Sequence, residues 1–145
     1  MRPIRFKARA LGSREMVEGY YVHQHIAIFD KDNNTILRYQ EEDAIYNDEP
    51  GNRNDRYWTR IAPDTLCQQT GAEDMFFMPI WEHDSVRLHS RMRRADKDPY
   101  HEATGEVIFH QTCFLLLMDD GKTMSLKHAR SRYELQVIGN RFDNM

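Results

Sequence analysis

Two histidines two residues apart, His23 and His25, lie inside a Tyr-, Val- and Ile-rich run from Gly19 to Phe29. Strand geometry alternates side chains between faces, so both imidazoles project from one side, as a divalent metal requires. A zinc site needs one or two more ligands. His83, His89, His101, His110, His128, Cys67 and Cys113 are available, and no spacing selects among them. Alone, the pair reads as polar side chains on a solvated strand face, with no metal or other cofactor expected. His110 and Cys113 are three apart, which places them on opposite faces of a continuous strand and argues against a thiol–imidazole dyad unless a bulge at Gln111-Thr112 brings them together. Glu82 and Asp84 share a face if one strand runs through both. Paired carboxylates can move protons or hold a cation. With no partner base or nucleophile identifiable, catalysis by this pair is not expected. No phosphate loop, nucleophile elbow, HExxH or CxxC occurs, so no catalytic residue is assigned and a non-enzymatic protein is expected.

Two basic clusters offer phosphate-binding chemistry: Arg91, Arg93, Arg94 and Lys97, then Lys127, His128, Arg130 and Arg132. Small barrels bind nucleic acid through such surfaces when aromatic groups accompany the charge. Here acids interleave with the arginines, so nucleic-acid association is the second reading. The first is protein binding. Met75-Phe76-Phe77-Met78 sets four large apolar side chains at an expected turn, where they either fold onto the core or form a surface for self-association or a partner.

The composition limits what must position these groups. Leu, Ile, Val and Phe make up 30 of 145 residues, just above the roughly 20% at which disorder becomes the default. Disorder also requires high net charge, and 20 basic against 23 acidic residues leave only −3. A lean, polar, folded chain follows. The near-neutral balance opposes general charge-driven nucleic-acid binding. The longest apolar run, Cys113 to Met118, is too short for a membrane span. No signal peptide is recognised, and two unpaired thiols fit a reducing cytoplasm.

Alternation then predicts strands. Ile4, Phe6 and Ala8 oppose Arg5, Lys7 and Arg9; Tyr21, His23, His25 and Ala27 share a face of a second strand. Asp30 to Asn34 forms a turn, with Thr35 to Tyr39 as the returning strand. Residues 41 to 55 carry six acids and read as a mobile acidic loop, followed by a short strand from Tyr57 to Ile61. Pro63-Asp64 opens a helical turn that Gly71 closes. Pro79 to Leu88 is one strand, and 90 to 104 is a polar insertion. Gly105 to His110 and Cys113 to Met118 are consecutive strands bent at Gln111-Thr112. Asp119-Asp120-Gly121-Lys122 is a hairpin turn, Thr123 to Leu126 returns from it, and Glu134 to Gly139 is the last strand. No helical periodicity persists over three turns. The fold class is mainly β, all-β or β-rich α+β, as one domain spanning 1–145 with regions 1–61 and 62–145.

Three stretches in order resemble the YopX family of phage and prophage proteins. The opening Met1-Arg2-Pro3-Ile4-Arg5-Phe6-Lys7-Ala8 is similar to that family's start. Gln69-Thr70-Gly71-Ala72-Glu73-Asp74 and Ile80-Trp81-Glu82-His83-Asp84-Ser85-Val86 are similar to its "QYTGLKDKNGKEIYEGDIV". The ending Glu134-Leu135-Gln136-Val137-Ile138-Gly139-Asn140-Arg141-Phe142-Asp143-Asn144 resembles its "EVIGNIYENPEL". The resemblance implies an N-terminal β segment, a C-terminal SH3-like small barrel, a phage or prophage origin in a bacterial host cell, and no particular activity. Phe76-Phe77 stand where the family has Asn-Gly, and His83 where it has Gly. Phe disfavours positive φ, which predicts a different backbone at that turn.

Overall fold

A computed structural model describes residues 4–47 and 58–143, and within them the chain is mainly β. The chain divides into two compact units at Leu66/Cys67. Among the described residues no helix is long and apolar enough to cross a membrane.

In the first unit, strands β1 (Phe6–Arg9), β2 (Met16–Phe29), β3 (Ile36–Tyr46) and β4 (Trp58–Arg60) pair antiparallel in the order β4-β3-β2-β1. The alternation in β1 buries Ala8 against Ile45 and Ile61, with Phe6, Val17 and Tyr21 around them. The long β2 serves two neighbours in turn. Met16 to Gly19 pair with β1, and Tyr20 to Phe29 pair with β3. Gly19 stands at the changeover, where a Cβ would collide with the Tyr46 carbonyl oxygen and Ile45 Cγ2. Beyond β1 and β4, β2 and β3 continue as a two-stranded arm whose tip exposes Phe29, Ile36, Leu37 and Tyr39.

The expected acidic loop is overturned over its first part: Glu41 to Tyr46 belong to β3, while 48–55 lie outside the described residues. The strand tolerates its acids because cross-strand partners balance them. Glu41 opposes His25 and Asp43 opposes His23, while Arg60 Nε lies 3.3 Å from Glu42. A single 3-10 turn, Pro63–Thr65, closes the unit. It ends at Thr65, not at Gly71, because Thr65 Oγ1 bonds Ala62 O (2.6 Å) and accepts the Arg9 N–H (2.9 Å).

The second unit contains β5 (Cys67–Glu73), β6 (Pro79–Trp81), β7 (Asp84–Ser90), β8 (Thr104–His110), β9 (Cys113–Met118), β10 (Thr123–Ser125), α1 (Leu126–Arg132) and β11 (Tyr133–Asn140). β5 and β6 form a hairpin. The other five strands form an antiparallel sheet ordered β10-β9-β8-β7-β11, a meander whose last strand returns to pair with its first. Ile80, Val86, Leu88, Val107, Leu116 and Leu135 are the heart of its core.

Three expectations are corrected here. Pro79 to Leu88 is two strands, broken at Glu82-His83, so Glu82 and Asp84 do not share a strand. His83 takes φ 69, in the left-handed region that glycine adopts most readily. Gln111 and Thr112 take φ 48 and 68 and make a tight two-residue hairpin, so His110 and Cys113 pair across it instead of facing apart along one strand. Leu126 opens α1 instead of ending a strand, because Ser125 Oγ accepts the His128 N–H (3.0 Å) as an N-cap.

The polar insertion is pinned. Buried Asp98 accepts bonds from Tyr100 N (2.9 Å), Tyr133 Oη (2.9 Å) and Ser90 Oγ (3.1 Å). Burial pushes its carboxyl up, but these donors and nearby Arg132 outweigh that and hold it below its ordinary value.

Candidate functional site

The apolar turn between β5 and β6 is built on one residue. Asp74 Oδ1 accepts the N–H groups of Phe76 and Met78 (both 2.9 Å), and its Oδ2 accepts that of Val137 in β11 (3.0 Å). The backbone closes around it: Asp74 N donates to Met78 O (2.8 Å), Phe77 N to Asp74 O (3.0 Å) and Met75 N to Leu135 O (2.7 Å). This scaffold holds Phe77 at φ 64, a left-handed conformation in a turn that lacks glycine. Phe77 takes this positive φ against its own preference because a short carboxylate ligates the turn's amides and outweighs it. The side chains do not fold back. Phe77 is 81% exposed, Phe76 61%, Met78 57% and Met75 37%.

Beside the turn, a cavity of about 490 Å³ is lined by Met75, Arg91, Arg130, Tyr133 and Leu135, among others. A second, of about 480 Å³, is lined by Lys97, Lys122, His128 and Arg132 with Tyr100 and Tyr133. The fold therefore distributes the two basic clusters over neighbouring concavities that share Tyr133. Arg91 meets Arg130 in the first, and Arg132 serves the second. Arg93, Arg94 and Lys127 are exposed and line neither.

On the β2–β3 arm, His23, His25 and Glu41 each offer one ligand atom within 4.8 Å of the others. His25 Nδ1 lies 3.8 Å from Glu41 Oε1, and His23 Nδ1 lies 2.8 Å from Asp43 Oδ1. The same Asp43 oxygen accepts the Tyr21 hydroxyl. That hydrogen bond, with burial and the carboxylate charge, raises the Tyr21 hydroxyl to about 12. Bonding to Asp43 raises His23 above its ordinary value, and the Tyr21 and His23 bonds lower Asp43. Sequence reasoning found the two histidines but sought further ligands among His and Cys. Glu41 was hidden in a segment read as a loop, and register alone brings it opposite His25.

The remaining candidates are structural or unassembled. Asp84 Oδ2 accepts the Trp81 N–H (2.8 Å) and Oδ1 accepts from Asn140 Nδ2 (2.8 Å), while Glu82 Oε1 accepts the Gln68 N–H (3.2 Å). The Asp84 carboxylate thus ties the backbone of β6 to β11, while the Glu82 carboxylate holds the backbone of β5. Compared with known proteins, the chain matches no family model, no curated protein and no solved structure.

Proposed function

We propose that this chain is a non-enzymatic binding module, of YopX type and phage or prophage origin, acting in the bacterial cytoplasm. Its contact with a protein partner is the Met75–Met78 turn. The observation that carries this reading is the pairing of exposure with rigidity. Four large apolar side chains stand in water while Asp74 fixes the backbone beneath them. Preorganised apolar groups bind with less ordering cost than flexible ones, and aromatic side chains dominate contact energetics. Four residues supply at most several hundred Å², below the roughly 800 Å² per partner of a stable standard interface. The turn therefore acts as a knob entering an apolar pocket on another protein, not as the whole of a homodimer contact. In support of an SH3-like second unit, the sheet order is a meander, followed by α1 and a strand returning to β7.

A photo-crosslinker installed at position 77, in cells producing the full chain, is the test. One defined product is expected, absent from position 32 and lost in Phe76→Ser. No product from 77, or products equal from both positions, overturns the reading. Nucleic-acid binding is the second reading, favoured by the cavity that joins Lys97, Lys122, His128 and Arg132 to Tyr100. It requires affinity for single-stranded DNA that falls steeply with salt.

A further inference from the structure

The geometry points to a surface site for a first-row divalent cation, Zn2+ foremost, on the β2–β3 arm, with His23, His25 and Glu41 as ligands and Asp43 behind His23. Strand alternation places the two imidazoles on one face, and the antiparallel register sets Glu41 opposite His25 and Asp43 opposite His23. Two imidazoles and a carboxylate suit zinc, which binds nitrogen and oxygen at about 2.0–2.2 Å. Tetrahedral ligands at that length lie roughly 3.3–3.6 Å apart. The three candidate atoms lie within 4.8 Å of one another, and rotation of the exposed His25 and Glu41 side chains would close that gap while His23 stays bonded to Asp43.

A second observation distinguishes this cluster from chance polar neighbours. Metal-bound histidine characteristically gives its other ring nitrogen to a carboxylate, which fixes the tautomer and aims the ligand. His23 does this before any metal arrives: its Nδ1 bonds Asp43 Oδ1 at 2.8 Å, leaving Nε2 free. Asp43 is itself held by the Tyr21 hydroxyl. A Tyr21–Asp43–His23 relay of hydrogen bonds thus orients one ligand, while His25 and Glu41 complete a three-residue set with a fourth position left to water. The ligands lie on both strands of the arm, so the cation would cross-link β2 to β3 where, among the described residues, no third strand supports them.

The test titrates ZnCl2 into the untagged, EDTA-stripped full chain by calorimetry. One ion per chain is expected. His25→Ala and Glu41→Gln should each weaken it at least tenfold. Asp43→Asn, which keeps all three ligands, should weaken it about 10- to 100-fold, the usual effect of losing a supporting carboxylate. His89→Ala/His101→Ala should leave it unchanged. As a structural readout, free zinc at a hundred times the dissociation constant should slow arm amide exchange about a hundredfold where exchange proceeds by opening of the site. No binding at millimolar zinc overturns the proposal. Binding that survives His25→Ala/Glu41→Gln, with the circular dichroism spectrum unchanged, overturns it equally.

Discussion

Replacing Phe77 by Asn separates the knob from its support. A non-glycine residue in the left-handed region costs roughly 1–2 kcal/mol, and Asn tolerates that region better, recovering about half. At φ 64 and 81% exposure, the aromatic ring gains little burial in return. One fifth of the 1.5–3 kcal/mol for a fully buried apolar side chain is about 0.3–0.6 kcal/mol. Phe77→Asn should therefore leave stability between unchanged and about 0.7 kcal/mol higher. A packed Phe truncated this far would lose about 3–5 kcal/mol. Asp74→Ala should do the reverse. It leaves the side chains of Phe76 and Phe77 in place but removes the acceptor of three backbone N–H groups, costing about 2–4 kcal/mol. Urea unfolding resolves the two, as a shift of midpoint at constant slope. In pull-downs with uncrosslinked full chain, both variants should fail to retain the partner that the wild-type chain retains. A loss above about 2 kcal/mol in Phe77→Asn would show that the ring is packed and would refute the knob.

Gly19→Ala should cost about 3 kcal/mol, the upper end of overpacking, because the new methyl meets the Tyr46 carbonyl; unfolding below about 1 kcal/mol of loss would contradict the crossing geometry. By NMR, His23 should titrate above 6.5 and return toward that value in Asp43→Asn. A raised histidine contributes stability at pH below about 6.5 and loses it as pH rises through its folded value. The lowered Asp43 contributes above about 3.9 and loses as pH falls through its own, so the pair acts between those limits. Tyr133, raised to about 12 by burial and its bond to Asp98, should ionise about two pH units late by ultraviolet titration. Its contribution holds below about 10 and fades as pH approaches 12; Tyr133→Phe should remove the late step and lower stability about 1–2 kcal/mol.

Alternation made β1, β2 and most of the later sheet readable, since Ala8, Val86, Leu88 and Val107 fall where period two puts them inside. The Asp120-Gly121 turn was equally plain, and Gly121 takes φ 84. What escaped was non-local. β5 carries Gln68, Gln69 and Thr70 and buries fully only Cys67 and Ala72, too few for a pattern. α1 is two turns long and depends on packing Leu126 and Ala129 against the sheet. The left-handed residues Phe77, Gln111 and Thr112 are set by surrounding hydrogen bonds and hairpin pairing, against their own preferences. At the site, the knob residues were visible as composition, but Asp74 beneath them was not visible as a scaffold. The histidine pair was visible, but Glu41 needed the register.

The tie from Asp74 to Val137 spans 63 residues of chain. Met75 N is likewise held by Leu135 O, so the turn leans on a strand synthesised much later. On the ribosome, Phe76 and Phe77 emerge well before Leu135 to Val137 exist to secure them. During that interval the segment has its local bonds to Asp74 but not its ties to the sheet. The turn's local bonds within residues 74–78 need no later chain, but its two ties to β11 arrive only with the closing strand, so the order of synthesis sets when the knob is fastened to the sheet.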